Sequence, residues 1–151
     1  MTVASLRVAQ KICELSDWEV TNLSLQKIIY FCHMIYMGRN EGKPLINEHF
    51  QASMYGPVLP TLYKKLKKYG ADSIPNRFYG VAAITDETLN SFIEEVAGAL
   101  LKREPWELVA LTHSKNGAWA KNYIPGHDKT IPNADIIEEY AEFKTPAHST
   151  F

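Results

Sequence analysis

Lys27 and His113 are the two side chains of this 151-residue sequence whose types suit proton transfer. A lysine desolvated in a core can lose its charge, and a histidine titrates near neutrality. Such a pair needs something to act on, and the sequence supplies no nucleophile with a base beside it, no glycine-rich phosphate loop and no pair of carboxylates in a recognisable motif. The simpler reading makes Lys27 and His113 a structural polar network that ties helices together by hydrogen bonds, in a chain that is not an enzyme and has no catalytic residue. The five histidines, His33, His49, His113, His127 and His148, show no H-x-x-x-H spacing, and Cys13 and Cys32 form no C-x-x-C pair. No metal site and no cofactor is therefore expected, and the two cysteines read as small buried hydrophobes.

Binding chemistry has better candidates. In Tyr55-Gly56-Pro57, glycine permits a backbone conformation closed to other residues and proline fixes the next φ, which makes a rigid corner that aims a tyrosine. Such a corner serves structure first and partner contact second. Trp119 and Tyr123 fall in a segment without a helical stripe, so no core obviously requires them, and their amphipathic rings suit an interface. With Tyr63, these residues are the candidate partner-binding set: Tyr55, Gly56, Pro57, Tyr63, Trp119 and Tyr123. Lys64, Lys65, Lys67 and Lys68 could track phosphates, but without interleaved base-stacking aromatics or a recognition-helix motif they read as a solvated face.

The elements that must position these residues are mostly helices. Leu6, Ala9, Ile12 and Cys13 recur at helical spacing before Asp17 and Trp18 break the pattern. Thr21 and Asn22 can cap a second helix, about 22–37, that is apolar nearly all round and is expected to be the central one, with Gly38 and Gly42 ending it. Residues 50–55 alternate as a short β element, Pro60 opens a third helix, and 71–83 read as a loop with a short extended piece near 78–83. Thr85 caps a fourth helix, Pro105 starts a fifth, 123–133 form a loop, and Ile136, Ile137, Tyr140 and Phe143 mark a last acidic one. The expected fold is mainly α: a single domain over 1–145 with five to six helices packed round the central apolar helix, and a flexible tail at 146–151.

Composition limits the functions open to such a domain. Sixteen Lys and Arg against seventeen Asp and Glu give a net charge of −1, which argues against specific nucleic-acid binding. No run approaches the roughly 20 apolar residues of a membrane helix, so the expected location is the cytoplasm, with no membrane contact.

Three clusters together resemble the Panacea antitoxin domain family, whose members include SocA-like and GepA-like phage-associated proteins. They are Leu25-Gln26-Lys27-Ile28-Ile29-Tyr30-Phe31, then Phe50-x-Ala52-x-x-Tyr55-Gly56-Pro57-Val58-x-Pro60-x-x-Tyr63, then Leu111-Thr112-His113 with Trp119. The resemblance implies a short helical antitoxin that neutralises a cognate toxin, encoded by an adjacent gene, by direct protein–protein binding. A second reading is a proteolytic adaptor that delivers the toxin to a cellular protease, and a third is a small hydrolase using Lys27 and His113. The sequence departs from the family pattern at Met54, where an aromatic often precedes the Tyr-Gly-Pro, and at Ala118, where proline commonly precedes the tryptophan.

Overall fold

The structure is a computed structural model that describes residues 2–143. Among these residues it is mainly helical, with seven α-helices and a small three-stranded sheet: α1 (Ser5–Leu15), α2 (Asn22–Arg39), β1 (Gln51–Ser53), β2 (Gly56–Val58), α3 (Pro60–Leu66) followed by a 3-10 turn (Lys67–Tyr69), α4 (Glu87–Leu100), α5 (Pro105–Thr112), α6 (Ala118–Asn122), β3 (Lys129–Thr130) and α7 (Asn133–Phe143). The tail expected at 146–151 lies outside the described residues.

Helix α2 is the axis of the fold, because a helix apolar on all sides is stable only when other elements enclose it. Leu25, Ile28, Ile29, Tyr30, Phe31, Cys32 and Met34 are all fully buried. Helices α1, α3, α4, α5 and α7 and strand β2 pack round it. Thr21 caps its start by accepting from the Ser24 N–H. Helix α2 does not stop at Gly38, as the sequence suggests; it runs to Arg39, and the missing side chain of Gly38 makes room for the Tyr140 ring of α7. Gly42, at φ +82°, turns the chain away instead.

Helix α1 ends where Asp17 and Trp18 both take left-handed backbone angles, and it lies against α4, joined there by the Lys11–Glu94 ion pair. Helix α4 begins one residue later than the sequence suggests, with the Asp86 carboxylate accepting from the Leu89 N–H. The extended piece expected near 78–83 pairs with no strand among the described residues. No described helix is long and apolar enough to cross a membrane.

The β element differs most from expectation. Residues 50–55 are not one strand: β1 ends at Ser53, Met54 and Tyr55 make the turn, and Gly56 and Pro57 belong to β2. Ser53 pairs with Gly56 and Ala52 with Pro57 in an antiparallel hairpin, while β3 pairs on the other side of β1. β2 is therefore an edge strand, the position in a sheet where proline's missing N–H is tolerated.

Candidate binding site

The first two sequence clusters grip one another. Lys27 is completely buried, and its Nζ donates to the Pro57 carbonyl at 2.9 Å. At the preceding position of α2, Gln26 accepts from the Leu59 N–H at 2.9 Å through Oε1 and donates to Asn22 Oδ1 at 3.0 Å. Helix α2 thus satisfies a carbonyl of the edge strand β2 and the N–H of Leu59 just past its end, where α3 begins. Burial alone pushes the Lys27 ammonium down from 10.5 to about 7.

Gly56 is what lets the lysine come so close. Its φ of +113° is a conformation that disfavours L side chains, and a Cβ there would lie 2.7 Å from Thr112 Oγ1 and 2.9 Å from Lys27 Cε. The hairpin, α2 and the end of α5 therefore meet at a point where there is no room for a methyl group. His113, the next residue after α5, has its ring pushed below the usual histidine range, first by burial and then by the positive charge of Lys27. Among the described residues no hydrogen bond joins the two, and the buried His113 Nε2 has no partner. What couples Lys27 and His113 is charge.

Behind the hairpin stands an aromatic stack. The His113 and Trp119 rings are 3.7 Å apart and 7° from parallel, and Tyr123 lies 4.6 Å from Trp119 at 15°. The Trp119 indole N–H donates to the Ser53 carbonyl at 2.7 Å, so the stack braces the last residue of β1. Trp119 sits in the one-turn helix α6 rather than in the loop that the sequence suggests. Its N-terminal end is held by Glu139 of α7, whose Oε1 accepts from the Ala118 N–H at 3.0 Å and from the Tyr30 hydroxyl at 2.7 Å. That contact uses an N–H which a proline at 118 would lack.

The hairpin held in this way exposes its tip. Met54 and Tyr55 are 63% and 61% exposed, and Tyr63 on α3 is 37% exposed. Two adjoining cavities of about 350 and 250 Å³ share Ser53, Tyr55, Val58, Tyr63 and Lys67, and together make one groove between the hairpin and α3. The structure brings Tyr55 and Tyr63 together on this groove and buries Gly56 beneath it, with Pro57 in the same buried strand. Trp119 and Tyr123 support the hairpin at the Ser53 end.

Sequence reasoning missed four residues here. Met54 registered only as a departure from a pattern. Gln26 stood only as a member of the first cluster. Glu139 hides among the acids of the last helix, yet it is buried, and burial raises its carboxyl above the usual range. Its hydroxyl partner Tyr30 lies 109 residues earlier, beyond any local signal.

Comparison with known proteins agrees with the clusters. The family profile described as "Antitoxin SocA-like, Panacea domain" matches residues 25–120, which include α2 from Leu25 onwards, the hairpin and Trp119. Antitoxin SocA of Caulobacter vibrioides (strain NA1000 / CB15N) is 32% identical over 113 residues, which is 68% of this chain and 60% of that protein. The chain thus spans less than two thirds of that relative's length. No solved structure matches. With the gripped hairpin lying inside a match that covers more than half of its residues, the chain belongs to the SocA-like Panacea antitoxin family.

Proposed function

We propose that the chain is an antitoxin that neutralises a toxic protein by binding it directly, and that the groove beside the hairpin is the contact surface. One observation carries the reading: Met54 and Tyr55 at the tip of a hairpin anchored from behind by Lys27 and Trp119, and Tyr63 on the neighbouring α3, are large side chains exposed along one groove. Exposed apolar groups on a rigid support are what a partner can bury at little cost in ordering. Tyr55 and Tyr63 are the anchors in this proposal, Gly56 and Pro57 set the hairpin's shape, and Trp119 and Tyr123 hold its base.

The partner is the product of an adjacent gene, and the setting is the cytoplasm. The test is growth rescue at graded expression ratios. A binder rescues when it matches the toxin in amount and fails when the toxin is in large excess. Rescue that persists at a large excess would contradict stoichiometric binding, and would favour delivery to a protease or catalysis.

A further inference from the structure

Lys64, Lys65, Lys67 and Lys68 read from sequence as a solvated face, but the fold places them as a ridge between two clefts. Lys64 and Lys67 border the hairpin groove. Lys65 and Lys68 border a separate cleft of about 210 Å³, whose walls include Leu66, Ile74, Phe78 and Tyr79, with Arg77 on its rim. Tyr79 is the most exposed large apolar side chain described, at 82%. Aromatic and aliphatic surface therefore flanks the cations on both sides.

The charge on this ridge meets no carboxylate among the described residues, although the Lys68 ammonium lies 5.5 Å over the Tyr69 ring. All four lysines and Arg77 are exposed, and none takes part in the ion pairs formed among the described residues, where Lys11, Arg39, Arg103 and Lys121 do have carboxylates. Residues 51–85 hold these five cations against one acid, Asp72, in a chain whose net charge is −1. Among the described residues the second cleft is lined by no carboxylate, and the hairpin groove by one, Asp128.

We infer that the ridge and its two clefts dock an acidic segment of a protein partner, with carboxylates over the lysines and bulky apolar side chains set into the clefts. The inference rests on the reading of the chain as a protein-binding antitoxin, and it names the chemistry of that partner. Charge complementarity of this kind steers encounter and excludes wrong partners, while the buried apolar groups supply the hold. A protein segment fits better than a nucleic acid. Cleft walls such as Leu66 and Ile74 suit side chains more than flat bases, and the rest of the chain, which is net negative, would repel a long polyanion.

The probe is a phage-displayed random peptide library selected on the full chain, with recovered sequences remade as fluorescein-labelled peptides and titrated by anisotropy. We expect recovered peptides in which Asp and Glu flank one or two bulky apolar residues. Their affinity should fall about tenfold or more in the Lys65→Glu/Lys68→Glu variant, and should weaken as salt rises, while Lys43→Glu, on another exposed lysine, leaves it unchanged. Recovery of no binders, binders without acid enrichment, indifference to Lys65→Glu/Lys68→Glu, or tighter binding of a dT20 oligonucleotide at physiological salt would each overturn the inference. If the adjacent gene's product binds the Lys65→Glu/Lys68→Glu variant as well as the parent but requires Tyr55, the ridge falls and the antitoxin reading stands. If acidic peptides bind the ridge and no adjacent product binds at all, the antitoxin reading falls and the ridge stands.

Discussion

Lys27 carries a positive charge into a place that water does not reach, and there it meets the Pro57 carbonyl. Its ammonium falls from 10.5 to about 7 on folding, so between those values the unfolded chain binds more protons than the folded one. Stability contributed by this residue therefore rises as pH increases from about 7 towards 10.5. In Lys27→Met that rise disappears, while every other titrating group remains. Urea unfolding midpoints of both proteins at neutral pH and near pH 10 should diverge in the parent's favour as pH increases, and parallel curves would contradict the assignment. His33 poses the same case at lower pH. It is fully buried, its Nδ1 accepts from the Ile46 N–H, and its Nε2 lies 3.0 Å from Asn133 Oδ1, an arrangement that fits the neutral ring. Burial is the first cause that lowers its pKa below 6.5, so as pH falls the unfolded chain takes the proton first, and stability is lost from about 6.5 downwards. Nitrogen-15 spectra of the ring should show a protonation midpoint below 6.5 with the neutral ring as the Nε2–H tautomer, and a midpoint at or above 6.5 would contradict it.

At the scale of elements, the hairpin depends on Gly56. In Gly56→Ala both the positive φ and the overlap with Thr112 Oγ1 and Lys27 Cε must be relieved, which should cost on the order of 2–4 kcal/mol in denaturant unfolding. A loss below about 0.5 kcal/mol would show that the hairpin moves freely. The central helix was legible in the sequence because its apolar residues leave no polar face, and that pattern has few other uses. The hairpin was legible only as a corner. Gly56 and Pro57 look like the turn, but the turn falls on Met54 and Tyr55, and the glycine's positive φ is used just after it. Helix α6 was not legible at all, because five residues are too few for periodicity to show. The groove could not be read either, since its walls come from α2, the hairpin, α3 and Asp128, and only folding brings these together.

Over the whole molecule the polar bonds divide the labour. The buried ones, Lys27 to Pro57, Gln26 to Leu59 and Glu139 to Tyr30 and Ala118, hold the helices and hairpin in register, and buried bonds of this kind are costly to break one partner at a time. The ion pairs at the surface add little, because water screens them. What the framework leaves open to a partner is the hairpin tip with Tyr63. The central claim is that this surface binds the toxin, and calorimetric titration of the adjacent gene's product into the purified chain tests it most directly. The account predicts a saturable, equimolar complex with the parent. It also predicts a complex weaker by about 1–4 kcal/mol for Tyr55→Ala/Tyr63→Ala, with circular dichroism to show that the variant is folded, since Tyr63 is partly covered. Equal affinity for the parent and a folded Tyr55→Ala/Tyr63→Ala variant, or no binding to either, would contradict it.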